Sequence, residues 1–470
     1  MRYISTRGGM EPVSFSEAVM TGLAPDGGLL LPERIPDATA ELDRWKGLSY
    51  PELAAEIVAR YADLPVEDIR RLVRKSYQCF STPEVAPVVR VKAIHVLELF
   101  HGPTLAFKDV ALQLLGNLFE YLLSASGRKL NILAATSGDT GSAAICGVRG
   151  RERINIFVMH PHGRISRIQE LQMTSVTDPN VFNLGVEGTF DDCQGILKAV
   201  FRDLDFKQEY GLGAVNSINW ARVLAQIVYY FYGAFRVMDS TGASRVRFCV
   251  PTGNFGNIFA GYLAARMGLP VGALVLATNE NDILSRYFST GVYSLGEVVP
   301  TVSPSMDIQV ASNFERYLYY RLGEDPAALR ELMDTFAKSG RIETGPDEDC
   351  LFVSGAGDTR ATLSTIAEVH RDSGYLLDPH SAVAFYVAGQ HLRPDEPMIS
   401  LATAHPAKFD QAIREATGDD LARHPALDEL ENRPTRLDIV PASESAVREY
   451  IVSHVAPVER VRAEAGFATP

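Results

Sequence analysis

A single lysine stands at the mouth of what reads as a buried helix. In the stretch HGPTLAFKD, residues 101–109, Lys108 lies between Phe107 and Asp109, after a Gly-Pro turn and before an apolar-periodic run. A cation at a helix N-terminus opposes the helix dipole. Leu105, Ala106, Val110, Ala111 and Leu112 give it apolar neighbours. Such surroundings depress an amine's pKa and suit it to Schiff-base chemistry. A lone lysine is more often a solvated surface charge, so the reading needs partners.

Three other stretches supply them. In VPTGNFGNIFAG, residues 250–261, a strand ends and Gly253, Asn254, Phe255, Gly256 and Asn257 turn into a helix. Glycines there let successive N–H groups point at one anion, and the helix dipole adds to the attraction. No Gly-Lys-Ser/Thr follows, so it is neither a Walker loop nor a dinucleotide fingerprint. In ATSGDTGSAA, residues 135–144, Ser137, Asp139 and Thr140 open a small-residue helix, a place suited to a substrate carboxylate or to plain capping. In LATAHPAKFD, residues 401–410, Thr403 offers a strand-end hydroxyl for a heterocyclic nitrogen, and Lys408 offers a second cation. Each has an ordinary reading alone. Together, a phosphate cradle and a Schiff-base lysine are the constellation expected for pyridoxal phosphate.

The elements that must position these residues are legible as alternation. AIHVLEL (93–99), KLNILAA (129–135), INIFVMH (154–160), RVRFCVP (245–251), ALVLATN (273–279) and MISLATA (398–404) read as short apolar strands. DVALQLLGNLFEYLL (109–123) has helical spacing, with Ala111, Leu115, Leu118 and Leu122 on one face. Strands alternating with helices imply a doubly wound, mostly parallel α/β sheet covered on both faces. Such sheets bind ligands at the carboxyl ends of their strands, where all four motifs fall. Upstream, SYPELAAEIVARYA (49–62) starts a helix at Ser49 and Pro51, and STPEVAPVV (81–89), with two prolines, reads as a linker. These signals divide the chain into an N-terminal domain at 1–90, a catalytic α/β region at 91–410 and a C-terminal segment at 411–470.

Composition excludes whole classes of function. The net charge of −13 argues against nucleic-acid binding, which needs a basic surface. The five cysteines are scattered singly without a C-x-x-C pair, which argues against structural zinc and for a reducing compartment. No apolar run is long enough to span a membrane, and MRYISTRGGM is no secretory signal. The expectation is a soluble cytoplasmic protein, monomer or dimer, holding no metal.

Across nearly its whole length the sequence resembles the threonine synthases of the longer type. The resemblance rests on STRG, APDGGLLLPE, HGPTLAFKD, SGDTGSAA, HPHGRISRIQELQM (160–173), NSINWARVLAQIVYY (216–230), PTGNFGN and TAHPAKF. It implies a pyridoxal-phosphate enzyme of fold type II, similar to tryptophan synthase β-subunits, with an extra N-terminal domain. It implies conversion of O-phospho-L-homoserine and water to L-threonine and phosphate, with Lys108 as the Schiff-base lysine. Gly253 to Asn257 would hold the cofactor phosphate, and Thr403 would meet the pyridine nitrogen. Ser137, Asp139 and Thr140 would lie near the substrate carboxylate, with Arg164 and Lys408 as cations for the substrate phosphate. Two alternatives keep the same motifs: a phospholyase or deaminase acting on hydroxy-amino acids, and a non-catalytic binding protein. Trp220 departs from the family pattern, where an aliphatic residue is expected.

Overall fold

The computed structural model describes residues 1–136, 138–346 and 351–458. Six strands form the larger sheet, in the order Phe352–Ala356, Val271–Thr278, Val246–Pro251, Met398–Ala402, Ile94–Glu98 and Val88–Val91. All neighbours run parallel except the last pair. The edge strand starts just after Pro87, where a missing N–H does no harm, so the proline-rich stretch read as a linker ends inside the sheet. A second sheet holds Asp438–Pro441, Val181–Glu187, Ile154–Pro161, Leu130–Ala135 and Leu212–Gly213, all parallel. Its first strand comes from the charged C-terminal stretch, whose helix Glu444–His454 then packs back through Val447 and Ile451.

One long helix, Trp220–Thr241, packs on the larger sheet and against the helices Lys108–Ser126, Gly256–Arg266 and Tyr50–Tyr61. Every residue from Trp220 to Phe235 is buried, as expected of a helix that is apolar nearly all round. The N-terminal segment packs on it directly. Tyr3 and Tyr61 lie 5.8 and 5.6 Å from Trp220, and Trp45 meets Phe231 edge-on at 5.5 Å. That explains the tryptophan: its indole fills the space between the long helix and the first 61 residues and meets both tyrosine rings, which a smaller aliphatic side chain would not. The helix expected to start at Ser49 runs Tyr50–Tyr61, and Ser49 and Glu52 close a capping box at its start. Among the described residues no helix is long and apolar enough to cross a membrane, and no cluster of His, Cys, Asp and Glu is arranged to hold a metal.

Candidate active site

Lys108 is the first residue of the helix Lys108–Ser126, and the loop before it is fixed from two sides. Phe107 N–H donates to the Thr403 carbonyl at 2.8 Å, and His405 N–H donates to the Leu105 carbonyl at 3.0 Å. The Ala106–Ala404 bridge lies between them. This short antiparallel zipper sets Lys108 beside Thr403 although the two are far apart in sequence. Leu105 adopts a left-handed φ of 59° to make the turn. Gly102 is required as well, because a Cβ there would lie 2.4 Å from that of Asp109.

The lysine amine is almost enclosed, with the side chain 11% exposed. Nζ lies 3.4 Å from Asp139 Oδ2, at the start of the helix Asp139–Val148. Burial lowers the Lys108 pKa; Asp139 opposes the shift, and the nearby charges of Lys408 and Arg222 reinforce it. Lys408 is itself fully buried, with Nζ 2.8 Å from Asp139 Oδ1 and 2.8 Å from the Thr104 carbonyl. Gln169 Nε2 donates to the same Asp139 oxygen at 3.0 Å. Burial alone would raise the Asp139 pKa, but Lys408 and Lys108 together hold the carboxyl well below the usual range. Asp139 is therefore an anion between two lysines, and its oxygens are committed to them.

Asp109, next to the lysine, behaves in the opposite way. It is fully buried, and burial raises it to about 6, against hydrogen bonds from Thr104 N–H at 2.8 Å and Thr104 Oγ1 at 2.7 Å. Between pH 4 and 6 the folded chain then holds a proton that the unfolded chain has released, so stability falls as pH rises. Asp109→Asn removes that titration. From pH 4 to 6.5 the variant is expected to gain on the wild type by up to about 3 kcal/mol. Unfolding midpoints measured in parallel across that range check it, and a constant difference sinks it.

The glycine-rich turn lies where the helix Gly256–Arg266 begins. The left-handed residue is Phe255, at φ 64°, rather than either glycine. A non-glycine there is strained, but Phe255 is 1% exposed and anchored among Phe288, Phe314, Tyr317 and Phe352. Its burial offsets the strain and locks the turn. The glycine at 253 has a different reason: a Cβ would lie 2.6 Å from the Ser305 carbonyl oxygen. At Gly256 the nearest atom to a Cβ is Asn313 Nδ2, at 3.1 Å. Asn313 N–H and Nδ2 both donate to the Asn254 carbonyl, at 3.0 and 3.2 Å. Asn257 Oδ1 accepts from the Tyr229 and Tyr230 hydroxyls at 2.6 and 2.9 Å. Its Nδ2 is left buried without a protein partner. Free first-turn N–H groups, a locked turn and an orphaned amide donor fit a phosphate. Beside a nearly enclosed lysine, they fit pyridoxal phosphate. Gly253→Ala is expected to weaken binding of that cofactor by about 1–3 kcal/mol through overpacking against Ser305. Equilibrium dialysis reads it, and an unchanged dissociation constant rules out this wall of the cradle.

The remaining expected residues are placed unevenly. Thr403 is 6% exposed, and its backbone N–H donates to Ser381 Oγ at 3.0 Å. Thr140 follows Asp139 in the same helix and is half-buried. Arg164 is exposed, in the loop after the strand Ile154–Pro161. Ser137 lies outside the described residues.

Arg222 was missed in the sequence. It lies in the first turn of the long helix and is 5% exposed, with Nε and Nη1 buried without a protein partner. Burial pushes it down to about 10. The loop before it reaches the 253–257 turn through Ser312 and Asn313, which both bond Asn254: Asn313 Nδ2 donates to the Ser217 carbonyl at 3.2 Å, and Ser217 Oγ meets Ser312 Oγ at 2.8 Å. The available signal was a lone arginine inside an otherwise apolar helical run, NSINWARVLAQIVYY.

Known proteins match this arrangement along the whole chain. Residues 2–77 match the threonine synthase N terminus, residues 78–350 the pyridoxal-phosphate dependent enzymes and residues 381–451 the threonine synthase C-terminal model. A threonine synthase of Methylobacillus glycogenes is 45% identical over 97% of this chain and 100% of its own length. The crystal structure of a PLP-bound threonine synthase from Brucella melitensis superposes with a TM-score of 0.92 at 45% identity, covering 97% of this chain and 99% of that one. The yeast threonine synthase structure gives 0.91 at 40% identity, covering 96% and 98%. On these matches along nearly its full length, the chain belongs to the threonine synthases, a family of pyridoxal-phosphate dependent enzymes.

Proposed function

We propose that this protein converts O-phospho-L-homoserine and water to L-threonine and phosphate. The observation that carries the proposal is Arg222, a buried guanidinium with unpaired donors that lies close enough to Lys108 to lower its pKa, on a helix whose preceding loop meets Asn313 beside the 253–257 turn. One phosphate cradle serves the cofactor. A substrate that loses phosphate needs a second anion site, and an unpaired buried arginine supplies charge-assisted donors for it.

Pyridoxal phosphate, when bound, supplies the electron sink that lets a substrate C–H bond break. The chain's own residues do the rest. The depressed pKa of Lys108 favours a neutral amine, free to take a proton from the substrate's α-carbon and to deliver protons to neighbouring carbons. Asp139 holds that amine in place, with Lys408 balancing its charge. Gly253 to Asn257 would hold the cofactor phosphate, and the Thr403 hydroxyl would meet the pyridine nitrogen. Arg222 holds the leaving phosphate. Thr140, at the helix start beside Asp139, receives the substrate carboxylate.

Incubating the PLP-loaded protein with O-phospho-L-homoserine should yield threonine and phosphate in equal amounts. A 2-oxo acid in place of threonine would overturn the proposal in favour of a phospholyase.

A further inference from the structure

Asp378, His380 and Ser381 form a buried cluster behind the site, 1%, 4% and 1% exposed. On its own Asp378 reads as the N-cap of the helix Pro379–Gln390, accepting from His380 N–H at 3.0 Å and Ser381 N–H at 3.3 Å. Its side chain does more than cap. Two arms leave the carboxylate, one from each oxygen.

The first arm runs to the pyridine side. Ser381 Oγ donates to Asp378 Oδ2 and accepts the Thr403 N–H at 3.0 Å. A hydroxyl has one proton, so giving it to Asp378 leaves the Ser381 lone pairs turned toward Thr403. The second arm runs to the phosphate side. His380 Nδ1 lies 2.9 Å from Asp378 Oδ1, and His380 Nε2 accepts the Ser305 N–H at 3.2 Å. Because Nε2 accepts, the ring proton sits on Nδ1 and points at the carboxylate. The residue so held also carries the carbonyl oxygen that a Cβ at Gly253 would meet at 2.6 Å. His380 is further wedged edge-on by Phe409, at 5.0 Å.

We propose that Asp378 is a positioning residue that fixes the Thr403 strand end and the Gly253 turn relative to each other, and so sets the length of the cofactor cleft. This rests on the reading that Thr403 and the 253–257 loop grip opposite ends of pyridoxal phosphate. A capping role alone requires neither a serine with its proton turned to the carboxylate nor a histidine bridging to Ser305.

The test separates capping from positioning. Ser381→Ala cuts the first arm and leaves the cap. Asp378→Ser keeps a capping side chain and cuts both arms. Each is expected to weaken PLP binding about tenfold or more, as for one lost buried hydrogen bond. Melting temperatures of the PLP-free proteins are expected to stay within about 4 °C of wild type. The visible absorbance band of bound PLP and its pH titration should shift in both variants. The phosphorus-31 resonance of bound PLP should move in Asp378→Ser and stay in Ser381→Ala. Wild-type affinity and an unshifted band in Ser381→Ala overturn the inference even if Asp378→Ser does not fold. A phosphorus resonance unmoved in Asp378→Ser also overturns it. These outcomes leave the cofactor assignment standing, whereas a wild-type chain that binds no PLP overturns both.

Discussion

Lys108→Ala should lower turnover of O-phospho-L-homoserine by about 10⁴-fold or more, since proton transfer by a positioned group is worth up to that factor and the covalent link to the cofactor goes as well. The variant should still fold. The substitution removes a buried amine whose charged form is already disfavoured. It leaves Asp139 with Lys408 at 2.8 Å and Gln169 at 3.0 Å, so no carboxylate is stranded. Some pyridoxal phosphate should remain bound through the turn at Gly253 to Asn257, without a covalent bond. Borohydride reduction of the wild type, followed by peptide mapping, should place the cofactor on Lys108. Label recovered on any other lysine, Lys408 above all, would overturn the assignment.

The reason Lys108 could be found in sequence is that its signal is local. A lysine between a Gly-Pro turn and an apolar helix conflicts with both the dipole and burial, and such conflicts mark function. Six strands of the two large sheets were legible for a similar reason, as short apolar runs bounded by turns, whereas Phe352–Ala356, Val181–Glu187, Leu212–Gly213 and Asp438–Pro441 were not read. The turn at 253–257 was legible in kind but not in detail. Glycine spacing suggested where the backbone bends, yet the left-handed residue is Phe255, held there by four aromatic rings from distant segments. The edge strand Val88–Val91 escaped notice because Pro83 and Pro87 signal a loop, and only pairing with Ile94–Glu98 makes those residues a strand.

What sequence could not give was who meets whom across the fold. Lys408 in TAHPAKF suggested an available cation. The structure spends its ammonium on Asp139 and the Thr104 carbonyl. Asp139 in SGDTG suggested a residue near the substrate carboxylate, and in the fold it is an anion that two lysines share. Neither pairing leaves a trace in local spacing. Asp378 is locally an Asp-Pro cap, and only the fold shows where its two neighbours lead, Ser381 Oγ to the Thr403 N–H and His380 Nε2 to the Ser305 N–H.

These placements suggest different roles for two buried cations, Arg222 and Lys408. Arg222→Leu keeps an apolar stem in the long helix and removes a guanidinium whose Nε and Nη1 bond nothing in the protein. Folding should not suffer, since burying that charge is a cost the variant no longer carries. Binding of a phosphorylated substrate should suffer greatly, because a charge-assisted contact to a desolvated anion disappears. The expected result is a KM for O-phospho-L-homoserine raised by about 30-fold or more, the loss of a truncated charged contact of 2–5 kcal/mol, with PLP content unchanged. Lys408→Ala should behave differently. It strips the nearer cation from buried Asp139, which leaves Lys108 as that carboxylate's one remaining cationic partner among the described residues. Its effect should therefore fall on kcat and on the melting temperature more than on KM. Steady-state kinetics of both variants, with cofactor occupancy measured alongside, distinguishes the two roles. A raised KM confined to Lys408→Ala, with Arg222→Leu indistinguishable from wild type, would return the substrate phosphate to the lysine and leave the unpaired arginine without a task.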